Sequence, residues 1–186
     1  MELAQIRVYR RGGEVARYHT EPTIIRETVA HHSANVAFIA MYIAEAVTPN
    51  LVYMALVHDT AEGLTGDVPY PVKHQFPALK QYLDGIEENF LRRNQMFVQI
   101  TEDETAVIKA ADMLDLVLKC LDEMDMGNRR FLDIFETGVA VLNKMVLPPY
   151  TRLKIDEILE GIGEWTGLTT DKSAETTIPE NSNTGT

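Results

Sequence analysis

Apolar residues along this chain recur at the three- and four-residue spacing of amphipathic helices, and no segment alternates regularly enough to predict a strand. The spacing predicts helices over these ranges: 3–9, 28–47, 51–63, 77–91, 101–126, 129–146 and 150–165. The segment 14–27 and the segment that runs through Pro69 and Pro71 are predicted to be loops, because proline and turn residues interrupt them. The pattern therefore predicts an all-α fold.

Local signals define several of the helix boundaries. Arg10–Gly13 is predicted to end the first helix, because paired glycines are a common stop signal. Thr101 and Glu104 have the spacing of a capping box, and Gly127 follows the helix that they open. After residue 167 the chain becomes polar and contains almost no apolar residues. We therefore predict one domain over 1–167 and a disordered tail over 168–186.

Composition narrows the possible partners and compartment. At 186 residues and 45% hydrophobic content, the chain is long enough to bury a full core. A net charge of −11 argues against a nucleic-acid polymer or an anionic membrane as the main partner. A single cysteine, Cys120, excludes a disulfide framework and favours a reducing cytoplasm. We expect neither a signal peptide nor a membrane span.

The chemistry-bearing feature is the adjacent pair His58 and Asp59, which follows an apolar run. An imidazole and a carboxylate offer one nitrogen and one oxygen ligand to a divalent cation, but adjacent helical residues diverge and cannot enclose it. Other helices must complete the shell. Glu62 returns to the same helical face, where a water-activating base would lie.

Two other predicted helices can supply the missing ligands. His31 and His32 lie near the start of one helix, and only one of the two can point inward. Asp112 lies in the middle of another helix among apolar residues, where a carboxylate is costly unless it is paired or binds a metal. The residues alone thus predict a metal centre assembled from distant parts of the chain.

This order of histidines and aspartates resembles the HD-domain metal-dependent phosphohydrolases, whose fold is a helical bundle. Within that superfamily the chain is similar to the bacterial 5′-deoxynucleotidases and to related phage deoxynucleotide phosphohydrolases. The resemblance extends from about Arg17 to Gly127. It is carried by the segments Arg17–Tyr18, Glu27–Ser33, His58–Lys73 and Lys109–Asp112, and it continues through Leu118–Glu123.

The resemblance implies roles for individual residues. The implied metal ligands are His32, His58, Asp59 and Asp112, with His31 as the alternative to His32. Glu62 would orient or deprotonate the attacking water, and Arg17 would bind the phosphate beside the metal. The remaining implied substrate contacts come from Tyr18, Asp67, Val68, Pro69, Tyr70 and Lys73. Asp67 and the loop behind it would hold the sugar, and Lys73 would favour a substrate with more than one phosphate.

The expected activity is removal of the 5′-phosphate from deoxynucleotides, with Co²⁺, Mn²⁺, Zn²⁺ or Mg²⁺ as cofactor. One alternative is a deoxynucleoside triphosphate hydrolase of the phage type, favouring dATP. A second alternative is a metal-binding helical module without turnover, which the presence of Glu62, Arg17 and Asp67 argues against. Relatives are homo-oligomers, and several methionine-bearing helices leave apolar faces to cover, so we expect a dimer or larger assembly.

Overall fold

The structure is a computed structural model that describes residues 2–168 and 170, without the side chains of Glu2, Tyr70, Pro71 and His74. Within this part of the chain every regular element is helical, which confirms the predicted all-α class. The helices are α1 Glu2–Gly13, α2 Val29–Ile43, α3 Pro49–Val57, α4 Glu62–Thr65, α5 Tyr70–Gln75, α6 Pro77–Arg93, α7 Glu102–Asp125, α8 Leu132–Lys144 and α9 Pro149–Thr166. A 3₁₀ turn, Arg129–Phe131, precedes α8.

Helices α2 and α7 form the centre of the bundle. Helix α3 packs on both of them, α8 lies along α7, and α9 contacts α2 and α8. Small buried residues such as Ala40, Ala110 and Ala111 line the central helices, while Phe131 and Phe135 fill the space towards α8. Burying a phenylalanine side chain contributes roughly 1.5–3 kcal/mol, so this cluster holds the central helices together, and a smaller cluster forms around Val57, Leu91 and Met96.

The predicted stop signal Arg10–Gly13 does end the first helix, although the helix extends beyond the predicted range 3–9. Helix α1 includes both glycines and ends at Gly13. A Cβ on Gly12 would lie 2.5 Å from the carbonyl oxygen of Thr60, and one on Gly63 would lie 3.0 Å from Gly12 Cα. The glycines therefore allow α1 to pack closely against the turn that follows His58, and this turn carries residues of the candidate site.

Two further helix boundaries differ from the predictions. Helix α2 ends at Ile43, not at residue 47, since the backbone of Ala44 is already extended. Thr48 then caps α3, and Pro49 occupies the first turn of that helix. The predicted helix 51–63 is divided into α3 and α4. Between these helices the backbone forms tighter bonds, from Thr60 N to Val57 O and from Glu62 N to Asp59 O.

The remaining predictions are mostly confirmed. The segment 14–27 is a loop whose ends meet in an isolated antiparallel bridge between Ala16 and Thr28. The capping box of Thr101 and Glu104 opens α7 as predicted. Part of the loop predicted around Pro71 is helix α5 instead, since a proline in the first turn of a helix needs no N–H partner.

The division into a domain over 1–167 and a disordered tail over 168–186 stays a prediction. Residues 169 and 171–186 of the predicted tail lie outside the described residues. Among residues 2–168 and 170, no helix combines the length and apolar character that crossing a bilayer requires.

Candidate metal centre and active site

The buried His32 and the half-buried His58 face each other at the centre of the candidate site, with their ring centroids 5.4 Å apart. His32 lies in the first turn of α2, and its Nδ1 is 2.7 Å from Oδ2 of Asp115. His58 follows α3, and its Nδ1 is 2.8 Å from the carbonyl oxygen of Ala55. Both Nδ1 atoms are thus placed to donate a proton, which leaves a lone pair on each Nε2.

Two carboxylates converge on these Nε2 atoms. Asp59 lies between the histidines, with Oδ2 3.4 Å from Nε2 of His32 and Oδ1 3.4 Å from Nε2 of His58. Asp112, on α7, places Oδ1 3.1 Å from Nε2 of His32. Of the predicted metal ligands, His32, His58 and Asp59 thus place ligand atoms close enough together to share one cation, and Asp112 joins them from α7 through its contact with His32.

This arrangement fits a divalent cation. Both Nε2 atoms are buried and have no hydrogen bond of acceptable geometry among the described residues. Burial alone would lower the pKa of His32, but the neighbouring carboxylates of Asp112, Asp115 and Asp59 raise it to about 11. The carboxylates thus favour positive charge at this point, which a cation bound by two nitrogens and two carboxylates would supply.

Arg17 lies beside the metal cluster, held between two acids. Its Nη1 donates to Oδ2 of Asp59 at 3.0 Å, and its Nε is 3.3 Å from Oε1 of Glu27. Burial opposes the charged form of Arg17, yet Asp59 and other nearby groups keep its pKa above the ordinary value. A permanently charged guanidinium next to the cluster is well placed for phosphoryl oxygens.

Glu62 opens α4 and is buried, with only 3% of its surface exposed. Its Oε2 has no hydrogen-bond partner among the described residues. Burial, together with the charges of Asp59 and Asp67, raises the pKa of Glu62 to about 8, while Arg17 and Lys73 act in the opposite direction. A carboxyl with a raised pKa and a free oxygen has the properties of a general base.

A hydrogen bond joins the backbone of Tyr18 to the side chain of Asp67. The N–H of Tyr18 donates to Oδ2 of Asp67 at 3.2 Å, and Tyr18 takes a φ of 54°, which non-glycine residues rarely adopt. The Tyr18 ring packs edge-on against Phe131 with centroids 6.0 Å apart. The described contacts thus place the ring against the core, whereas the prediction had it contact the substrate.

The other predicted substrate contacts lie between α4 and α6. Val68 and Pro69 are half-buried in the connection to α5, and Tyr70 begins that helix. Lys73 is half-buried on α5, and its charge lowers the pKa of Glu62. Lys73 is therefore close enough to influence the site electrostatically.

The sequence interpretation missed Asp115 and the pairing of Glu27 with Arg17. The cost of a buried carboxylate was assigned to Asp112, yet the Asp112 side chain is 45% exposed and Asp115 is the buried acid. Asp115 lies three residues after Asp112 and so on the same helical face, a signal that could have identified it. The choice between adjacent histidines agrees with the structure, since His31 is exposed and His32 is fully buried.

Comparison with known proteins identifies the family of this chain. The family model described as 5′-deoxynucleotidase YfbR-like matches residues 7–98 and 89–161. The chain belongs to this family. A 5′-deoxynucleotidase of Vibrio vulnificus is 31% identical to it, over 63% of this chain and 73% of the relative. A 5′-deoxynucleotidase of Vibrio cholerae is 30% identical over the same shares. The predicted resemblance is confirmed.

Solved structures share the fold. An HD-domain phosphohydrolase of Listeria innocua aligns with a TM-score of 0.70 and 22% identity, covering 89% of this chain and 91% of that one. The cyanophage S-2L HD phosphohydrolase DatZ, bound to dA and one catalytic Zn²⁺ ion, aligns with a TM-score of 0.60 and 20% identity. That alignment covers 89% of this chain and 98% of the phage protein.

Proposed function

We propose that this protein is a metal-dependent 5′-deoxynucleotidase, which hydrolyses a deoxynucleoside 5′-monophosphate to the deoxynucleoside and phosphate. The observation that carries the proposal is the pair of buried, unpartnered Nε2 atoms of His32 and His58 beside two carboxylates, next to Arg17 and Glu62. Family membership and relatives named 5′-deoxynucleotidases support the substrate class.

His32, His58, Asp59 and Asp112 would hold the cation, which we propose is Co²⁺, Mn²⁺, Zn²⁺ or Mg²⁺. Such an ion would neutralise phosphate charge and lower the pKa of a bound water towards about 7. Arg17 donates to the phosphoryl oxygens and holds the phosphorus in line with the attacking water. Glu62 would accept a proton from the attacking water as the new P–O bond forms, and would return it to the 5′-oxygen as the bond from phosphorus to that oxygen breaks, which releases the deoxynucleoside and phosphate.

Asp67 is proposed to select the sugar. Its Oδ2 already accepts from the Tyr18 N–H at 3.2 Å, so the loop is held against the segment that carries Arg17. The other carboxylate oxygen can accept from a 3′-hydroxyl, and a wall close to C2′ would then exclude ribose by collision. We therefore propose a preference for deoxyribose.

We also propose a homo-oligomer, a dimer or larger. The methionines invoked from the sequence do not supply the apolar surface, since most of them pack in core clusters: Met54, Met96, Met113, Met124 and Met145. Exposed aromatic side chains supply it instead, with Phe38 at 66% and Tyr42 at 63% exposure one turn apart on α2.

The buried free thiol of Cys120 supports a cytoplasmic location, as expected from the sequence.

The proposal is tested by incubating the protein with dAMP, AMP and dATP in the presence of Co²⁺ or Mn²⁺ and separating the products. Release of deoxyadenosine and phosphate from dAMP is expected, with a preference over AMP of ~100-fold or more. Asp67→Ala should narrow that preference. Equal rates on dAMP and AMP in the wild type would contradict the assignment to deoxynucleotides.

A further inference from the structure

A buried ion pair lies on α7, beyond the residues that line the metal centre. Nζ of Lys119 is 2.7 Å from Oε1 of Glu123, and the two side chains are 4% and 0% exposed. Removing two charges from water costs several kcal/mol, so such a pair persists only where further hydrogen bonds satisfy its remaining donors and acceptors. The partners of this pair therefore indicate what the pair holds in place.

Those partners are backbone groups of the segment 22–25, which belongs to the loop before α2. Glu123 accepts from the N–H of Ile24 at 2.8 Å and from the N–H of Ile25 at 2.9 Å. Lys119 donates to the carbonyl oxygen of Ile25 at 2.8 Å. Asn128 donates both to Oε2 of Glu123 and to the carbonyl oxygen of Pro22.

Apolar burial does not explain how this segment is held. The side chains of Ile24 and Ile25 are 54% and 39% exposed, so they bury little surface against the bundle. Hydrogen bonds to charged groups are stronger than those between neutral groups, which makes the polar contacts to Lys119 and Glu123 the main anchor of the segment.

The anchored segment leads directly to Arg17. The N–H of Arg17 donates to the carbonyl oxygen of Glu27 at 3.0 Å, and Ala16 forms a bridge with Thr28. The Glu27 carboxylate, two residues after Ile25, also contacts the guanidinium of Arg17. The position of Arg17 therefore depends on where the segment 22–27 lies relative to α7, the helix that carries Asp112.

We propose that Lys119 and Glu123 are positioning residues for the phosphate-binding Arg17. They fix the segment 22–27 on α7. Because α7 also carries the proposed metal ligand Asp112, this contact fixes the position of the Arg17 guanidinium relative to Asp112. This inference rests on the proposed function, because it takes Arg17 as the phosphate ligand. Neither residue touches the substrate.

The test compares Glu123→Gln and Lys119→Met with wild type. Each variant removes the charge of one partner and so weakens the anchor, while the metal ligands stay in place. We expect KM for dAMP and the inhibition constant of inorganic phosphate to rise about tenfold, the effect of weakening one charged hydrogen bond to the phosphate. The affinity for Mn²⁺ should be unchanged. By hydrogen exchange, the amides of 17–28 should exchange at least about tenfold faster than in wild type.

Two controls separate positioning from general loss of stability. Glu88→Gln breaks an exposed ion pair of the same helical spacing, with Arg92, and should change none of these quantities. Leu159→Ala opens a cavity in the core on α9 and should lower the melting temperature without raising KM. Should Glu123→Gln not fold, Asn128→Ala removes two of the same contacts while the ion pair remains.

Unchanged KM and phosphate inhibition in variants whose segment exchanges faster would overturn the proposal. An equal rise in KM for Leu159→Ala would overturn it as well. If wild type does not hydrolyse dAMP, the proposed function fails by itself. In that case, the affinity for inorganic phosphate and the hydrogen-exchange rates of the amides in 17–28, compared between the variants and wild type, test the positioning role without any turnover.

Discussion

His32 and Asp115 form a buried hydrogen-bonded pair, with Nδ1 of the ring 2.7 Å from Oδ2 of the carboxylate. This bond fixes the tautomer of His32 and turns its Nε2 towards Asp59 and Asp112. Carboxylates in this position raise the basicity of a ligating imidazole and commonly improve metal affinity. Asp115 is thus a positioning residue for the candidate metal centre.

Asp115→Ala is expected to weaken metal binding by about 10–100-fold, because His32 loses the group that orients it. Competition of Mn²⁺ or Zn²⁺ with a chelating indicator measures the affinity directly, without turnover. Asp122→Ala, an exposed acid on the same helix, is the matched control and should bind metal like wild type. Equal affinities in Asp115→Ala and wild type would show that the bond has no such role.

The adjacent histidines provide a sharp test of the ligand set. His32→Ala should lose most of its bound metal and nearly all turnover, because the ring is buried and its Nε2 faces the cluster. His31→Ala should change both quantities little, since His31 is exposed on the same turn of α2. Metal content by mass spectrometry, alongside phosphate release, distinguishes the two. If His31→Ala lost more metal and turnover than His32→Ala, His31 would be the metal ligand.

Glu62→Gln should separate metal binding from chemistry. The amide keeps the size of the side chain but cannot accept the proton of water, so kcat should fall by roughly 10²–10⁴-fold. Metal content should equal that of wild type, because the ligand set does not include Glu62. Loss of metal in this variant would instead make Glu62 a ligand.

Lys73→Ala tests the number of phosphates in the substrate. For a monophosphate, Lys73 acts only through the pKa of Glu62, which its charge lowers. Removing that charge should raise this pKa, so dAMP turnover should fall on the acid side and recover at higher pH, with KM nearly unchanged. A rise of KM for dATP alone would favour the triphosphate alternative. Lys80→Ala, an exposed lysine on α6, is the control.

Glu123 should contribute to stability in a defined pH window. Burial would raise its pKa, but hydrogen bonds from Ile24, Lys119 and other donors lower it to about 2, from an ordinary value of 4.5. Because the folded-state pKa is the lower one, the stabilisation is complete above about 4.5 and is lost as pH falls towards about 2.

We therefore expect Glu123→Gln to be less stable than wild type at neutral pH, with a smaller loss of unfolding free energy on acidification. Urea unfolding at several pH values between 2 and 7 measures both quantities. Glu88→Gln, at an exposed ion pair, should retain the pH dependence of wild type. Parallel curves for Glu123→Gln and wild type would contradict the assigned shift.

The sequence by itself determined the features that depend on local physics. The capping box of Thr101 and Glu104 starts α7 because its two hydrogen bonds lie within one turn. The pair His58 and Asp59 predicts a metal site, because an imidazole and a carboxylate that follow an apolar run are costly to bury unless they are paired or bind a cation. The same reasoning led to His32 and Asp112, and through their order to the family.

Only the tertiary structure decided features that depend on which surfaces meet. Gly12 and Gly13 end α1 as their sequence predicts, but only the structure shows that Thr60 approaches Gly12 too closely for any side chain. Asp115 and Asp112 are both acids in one helix, and only the packing of α2 determines which one is buried against Nδ1 of His32. The contacts between Glu123 and Ile24 join residues about a hundred positions apart. No local pattern specifies such a pairing, because its free energy comes from desolvation in the assembled bundle.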